Sequence, residues 1–226
     1  MNKPAVICLD GPSGVGKGTI CLLVARNLGW HILDSGSLYR LTALKVSREN
    51  VMPDEECIAM LAKSLAVEYR EDGGNLEIYL DNEEVNPLIR SEEIGVLASK
   101  VAAMPAVREA LLTRQRAFLR SPGLVADGRD MGTVVFPDAS LKIYLTATPE
   151  ERANRRYKQL KEKGIDVNLA NLTEDLQHRD QRDMNRATAP LKPADDAIIV
   201  DTTQYNIDEV YSIVMKWVQK RIVTVT

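Results

Sequence analysis

Cysteine and histidine are scarce in this chain. Cys8, Cys21 and Cys57 lie far apart among 226 residues, and His31 and His178 are the only histidines. So few, so scattered, they give no disulfide framework and no His/Cys metal cluster. Unpaired thiols fit a reducing compartment, and a cytoplasmic location is expected. Long apolar runs are also missing. The opening Met-Asn-Lys-Pro leads into a short apolar stretch that stops at Asp10. That is no signal peptide, and no stretch approaches the roughly 20 apolar residues of a membrane-spanning helix. Basic charge is not in excess, since 29 Lys and Arg against 32 Asp and Glu leave −3. Aromatic residues are only 5% of the chain and are not interleaved with basic ones. A nucleic-acid partner is therefore not expected.

What is present reads as an α/β protein. Ala5-Val6-Ile7-Cys8-Leu9 is a continuous apolar run closed by Asp10-Gly11, the pattern of a strand buried on both faces. Further strands are predicted at His31-Ile32-Leu33, Leu124-Val125-Ala126, Leu141–Leu145 and Ala197–Val200. Helical spacing of apolar residues runs from Thr19 to Leu28, stopped by Gly29, from about Leu38 to Val46, and from about Ile207 to Val223. Strands alternating with helices predict a five-stranded parallel sheet covered on both faces, with ligands beyond the C-terminal strand ends. Val67–Arg70 and Leu76–Leu80 instead alternate with period two around Asp72-Gly73-Gly74-Asn75, as a solvent-facing antiparallel hairpin does. The expected organisation is one domain over 1–226: a core of 1–62, 101–148 and 190–226, an inserted lobe of 63–100, and a lid of 149–189.

The sharpest motif is Gly11-Pro12-Ser13-Gly14-Val15-Gly16-Lys17-Gly18-Thr19, set between the first strand and the first helix. This is the P-loop pattern. Glycines let backbone N–H groups turn inward around a β-phosphate, the helix N-terminus adds partial positive charge, and Lys17 adds a full one. All nine residues are candidate ATP contacts. Gly18 stands where many P-loops carry Ser or Thr. The hydroxyl arrives one residue later, at Thr19, which leaves it a water-mediated magnesium contact or a phosphate contact. Asp10 and Asp127 end strands near the loop, where an acid either orders water around Mg²⁺ or forms a turn or cap.

Arginines point to the acceptor. A hydroxyl acceptor calls for a positioned base, whereas a phosphate acceptor is already nucleophilic, and its difficulty is repulsion between two anions. Guanidinium groups solve that problem. Thr148-Pro149-Glu150-Glu151 reads as a capping box opening a helix with Arg152, Arg155 and Arg156 on one face. Arg179, Arg182 and Arg186 share a second face if that helix continues, and Lys163–Asn168 reads as the turn between. Such a pair is the expected form of a lid over ATP. Glu151, Asp180 and Asp183 are placed to pair with these arginines as on an ordinary solvated surface.

With Leu33-Asp34-Ser35-Gly36-Ser37-Leu38-Tyr39-Arg40, Ala126-Asp127-Gly128-Arg129-Asp130-Met131-Gly132-Thr133 and Arg182-Asp183-Met184-Asn185-Arg186-Ala187, the loop resembles that of the bacterial cytidylate kinases, a family of P-loop nucleoside monophosphate kinases. The resemblance covers nearly the whole chain. It implies ATP-dependent phosphorylation of CMP and dCMP with Mg²⁺, by an enzyme expected to act as a monomer. It implies that Ser35, Arg40, Arg129 and Arg186 grip the acceptor phosphate, that Arg179 and Asp183 contact the ribose, and that Ser99, Arg108 and Asp130 read the cytosine. The expected catalytic set is Lys17, Arg129, Arg155 and Arg186, with Arg156 among the ATP contacts. Related scaffolds act on uridylate, adenylate or shikimate, and those acceptors stay open here. A regulatory GTPase is disfavoured because no Asn-Lys-x-Asp motif is present.

Overall fold

The first apolar run becomes the central strand of a sheet. In this computed structural model residues 4–49, 54–72, 75–162 and 164–222 are described. In chain order they form β1 (Ala5–Asp10), α1 (Lys17–Leu28), β2 (His31–Asp34), α2 (Ser35–Arg48), α3 (Glu55–Lys63), β3 (Val67–Asp72), β4 (Asn75–Leu80) and β5 (Glu83–Glu84). There follow α4 (Asn86–Ile89), α5 (Glu92–Val101), α6 (Pro105–Arg116), β6 (Gly123–Gly128), one wide helical turn over Met131–Val135, β7 (Leu141–Thr146), α7 (Pro149–Glu162), α8 (Leu169–Asn185), β8 (Ile198–Asp201) and α9 (Ile207–Arg221). The chain divides into two compact units, residues 1–34 with 116–226, and residues 35–115.

The first unit holds a five-stranded parallel sheet in the order β2-β6-β1-β7-β8. All five predicted strands are its strands. The three inner strands have six residues each and the two edge strands four. Ile7 and Leu9 of β1 pack with Val125, Ile143 and Leu145 under Ile20 and Val24 of α1 and Val210, Val214 and Val218 of α9. Alternation then sends Asp10 to the opposite face, together with Val6 and Cys8. Helix α9 starts on a capping box, with Asn206 accepting from the Glu209 N–H and Glu209 accepting from the Asn206 N–H. The expected end of this helix at Val223 lies outside the described residues.

The second unit is built around α2, which packs on α3 and α5 and buries Leu38, Leu41 and Leu44. The antiparallel sheet β3-β4-β5 turns Ile78 and Leu80 inward, while Glu68 and Arg70 pair on its outer face. Only one face of the hairpin therefore meets solvent. Its tip, Gly73-Gly74, lies outside the described residues. The third strand, β5, has two residues and leaves no periodic trace in the sequence. The unit contains the 63–100 segment and reaches beyond it at both ends.

Burial separates the two kinds of strand position. Leu9→Ala in β1 is expected to cost about 2–5 kcal/mol in urea denaturation, since Leu9 is fully buried. Ile199→Thr in β8, where the side chain is 62% exposed, should change stability by no more than about 0.5 kcal/mol.

Candidate active site

The loop between β1 and α1 is shaped by one close approach. At Gly11, with φ +147°, a Cβ would lie 2.1 Å from the Leu145 carbonyl oxygen of β7, so no side chain fits. The chain then turns through Ser13 and the left-handed Gly14 and Gly16 into α1, whose first residue is Lys17. The Lys17 ammonium donates to the Pro12 carbonyl at 2.8 Å and lies 4.0 Å from Asp127. Burial, and then the nearby Arg129 guanidinium, pull its pKa below the ordinary lysine range, while Asp127 opposes them. Burial drives the Asp127 carboxyl upward, and Asp34, its partner across β2 and β6, adds to the rise. Gly18 and Thr19 are exposed at the helix start.

Arg129, directly after β6, joins this loop to α8. Its Nη2 donates to Ser13 Oγ at 2.7 Å and its Nε to Asp183 at 3.0 Å. Burial works against the Asp183 carboxylate, yet Arg129, Arg179 and Arg186 together hold its pKa below the usual range. Asp130 and Arg186 lie 3.7 Å apart, both side chains almost fully buried. Helix α8 ends at Asn185, so Arg186 is not on its face with Arg179 and Arg182. The backbone becomes extended at Arg186, whose Nε donates to the Ala189 carbonyl, and this break is what brings Arg186 to Asp130.

The arginines of α7 do not form a single open array either. Arg152 is 4% exposed, donating to the Ala147 carbonyl, to the Ser13 carbonyl and to Asp180. Arg155 pairs with Glu151 and donates to Thr202 and to the Tyr205 carbonyl. Arg156 is half-buried on the same helix. Thr148 accepts from the Glu151 N–H as a cap should, while the Glu151 carboxylate serves Arg155. The turn into α8 passes Gly164, with φ +73°, and Asn168 caps α8 by accepting from Ala170 and Asn171, Lys163 lying outside the described residues.

Asp10 takes the turn-forming alternative. Its two oxygens accept from the Met131 and Gly132 N–H groups, each at 2.8 Å, and fix the wide turn that follows Asp130. Each oxygen thereby holds a backbone donor, and Asp127 and Thr19 remain candidates to face a hydrated cation. Among the described residues no cluster of three His, Cys, Asp or Glu side chains forms a metal site. A strand-end carboxylate beside the phosphate loop suits magnesium, which keeps most of its waters.

The second unit carries the remaining predicted residues. Ser35 is buried and donates to Gln115 at 2.8 Å. Arg40 donates to the Ile89 and Ser91 carbonyls. Arg108 is buried over the Tyr39 ring and donates to the Ala102 carbonyl. Ser99 is 5% exposed, and its hydroxyl has no hydrogen-bond partner. Sequence reasoning missed Gln115 altogether, and it set Arg152 on the open arginine face of a lid, with Asp180 among the acids that could pair with those arginines. The available signal was the i and i+3 spacing of Asp180 and Asp183, which sets two acids on one side of a helix.

A family profile for cytidylate kinase matches residues 7–220. The chain belongs to the cytidylate kinase family. The cytidylate kinase of Aeromonas salmonicida is 54% identical over 96% of this chain and 95% of its own length. That of Pseudomonas aeruginosa is 55% identical over 96% of each. A Thermus thermophilus protein solved as TT1252 covers 98% of this cytidylate kinase family member and 99% of its own chain with a TM-score of 0.50 at 17% identity, and shares the fold. The resemblance read from the sequence and the expected P-loop fold both hold. Among the described residues, no helix is long and apolar enough to cross a membrane.

Burial raises the Asp10 pKa to about 6 from 3.8, against the two N–H donors that lower it. The native state thus binds this proton more tightly than the unfolded chain. The stability linked to Asp10 is complete below about pH 4 and is lost as pH rises through 6, by on the order of 3 kcal/mol. Carboxyl carbon NMR should show a midpoint near pH 6 for Asp10, and Asp10→Asn should remove this component from the pH dependence of urea stability. A midpoint near 4 would contradict the burial argument.

Proposed function

We propose that this cytidylate kinase transfers the γ-phosphoryl group of ATP to the phosphate of CMP or dCMP, leaving ADP and CDP or dCDP. An acceptor phosphate oxygen bonds to the γ-phosphorus, the bond from that phosphorus to the β–γ bridging oxygen breaks, and ADP departs with the electron pair. The supporting observation is the joining of Lys17, Ser13, Arg129, Asp183, Asp130 and Arg186 around the P-loop of one unit. Cations dominate the reacting end of that set, as transfer between two anions requires.

Loop N–H groups and Lys17 hold the ATP phosphates, and Arg129 and Arg186 neutralise the acceptor phosphate; Ser35 and Arg40 are the acceptor-phosphate candidates of the second unit. Arg179 and Asp183 meet the ribose. Asp130 accepts from the cytosine amine, a contact that uracil's carbonyl turns into repulsion, and this favours CMP over UMP. Ser99 and Arg108 donate to the ring; a buried hydroxyl with no partner is what a base-reading donor leaves in the structure. Arg155 and Arg156 serve ATP, which for Arg155 requires leaving the Thr202 and Tyr205 carbonyls. Bound magnesium would supply charge neutralisation on the donor phosphates, with Asp127 and Thr19 holding it through water. Residues 149–189 are read as the lid, whose closure excludes water as a competing acceptor. One chain carries every group named, so a monomer suffices. The free thiols Cys8, Cys21 and Cys57 are consistent with the cytoplasm.

A coupled ADP-release assay across the ribo- and deoxyribonucleoside monophosphates should give the highest kcat/KM with CMP and dCMP. Absence of a diphosphate product from every acceptor would sink the reading. Lys17→Ala should lower kcat by ~10²–10³. Asp130→Ala should raise the CMP KM by about tenfold or more and narrow the CMP/UMP ratio while leaving the ATP KM within about twofold. Equal use of CMP and UMP by the unaltered enzyme would remove Asp130 as base reader.

A further inference from the structure

We infer that Arg152 and Asp180 are positioning residues for the donor nucleotide: they set the Ser13–Gly14 peptide so that its N–H faces the bound phosphates. The inference rests on the kinase reading above. It begins from one carbonyl. Arg152 Nη1 donates to the Ser13 oxygen at 3.0 Å and contacts Asp180 Oδ2 at 2.6 Å, while Nε donates to the Ala147 carbonyl at 3.1 Å. Three points fix this guanidinium, and it is 4% exposed.

A trans peptide is rigid and planar, with its C=O and the following N–H pointing in opposite directions. Drawing the Ser13 oxygen toward α7 therefore turns the Gly14 N–H away from α7. The contact is close: a Cβ on Gly14, where φ is +82°, would lie 3.1 Å from Arg152 Cβ and 3.3 Å from the Arg152 carbonyl oxygen. Glycine at 14 thus lets α7 reach the loop, and Arg152 sets the peptide it meets.

Asp180 ties this arrangement to α8. One turn further on, Asp183 holds Arg129, which donates to the hydroxyl of the same Ser13. The hydroxyl and the carbonyl of Ser13 are thereby bonded to arginines, and both arginines to carboxylates of α8. The position of α8 and the orientation of a phosphate-binding N–H are mechanically linked. A purely structural ion pair makes a different prediction, because apolar residues of similar volume often replace a buried pair without loss of stability.

The test is the double variant Arg152→Met/Asp180→Leu, with Asp180→Asn as a milder single change. Melting temperature, KM for ATP at saturating CMP, KM for CMP at saturating ATP, and the shift of the Gly14 amide NMR signal on adding ADP are measured. The double variant should melt within about 5 °C of the unaltered enzyme. Its ATP KM should rise about tenfold or more, with the CMP KM within about twofold, and the ADP-induced Gly14 shift should be lost. Asp180→Asn should move the ATP KM in the same direction by about threefold, and decides the matter alone if the double variant does not fold. An unchanged ATP KM with an unchanged Gly14 shift overturns the inference, as does an equal rise in both KM values. Failure of the unaltered enzyme to make CDP would instead refute the functional reading, and the Gly14 shift with ADP would still report on the peptide.

Discussion

Two carboxylates one turn apart on α8 hold the arginines on which the phosphate loop depends. A buried guanidinium without a partner is costly, so Arg129 and Arg152 can lie against the loop only because Asp183 and Asp180 accompany them. The pairs leave donors to spare, and those donors go to the hydroxyl and the carbonyl of Ser13. The result is a nest whose backbone is fixed in place. Preorganised donors of this kind stabilise transferred charge without a reorganisation step.

A second fixed point lies on the other side of β1. Strand alternation turns Asp10 away from the face that carries Ile7 and Leu9, and its two oxygens close the turn after Asp130. The glycine-rich loop and the turn after Asp130 thus leave neighbouring strands, β1 and β6, and Asp10 at the end of one closes the other. Parallel register also sets Asp34 opposite Asp127, so the same rim of the sheet gathers acidic groups beside Lys17. The cationic and anionic halves of the site follow from strand order as much as from the motif.

Much of this was legible in the residues. The five strands, the P-loop, the hairpin and the helix pair all stood out, because each rests on local periodicity or on a glycine pattern. The family resemblance supplied the proposed acceptor residues by position. What escaped depends on contacts between distant segments. The break at Arg186, which turns it from α8 toward Asp130, is set by the return of the chain through Ala189 and Leu191. Arg152 looked like one of three equivalent arginines at helical spacing, and only packing against Gly14 distinguishes it. Gln115, buried against Ser35, carries no pattern at all.

The sheet is also shorter at its rims than at its centre. Strands β2 and β8 have four residues where the inner strands have six. An unpaired strand edge is a template on which another polypeptide can lay down hydrogen bonds, and the number it offers grows with its length. Trimming both borders leaves little to copy along this five-stranded sheet, so its rims offer a neighbouring chain few backbone groups to zip onto.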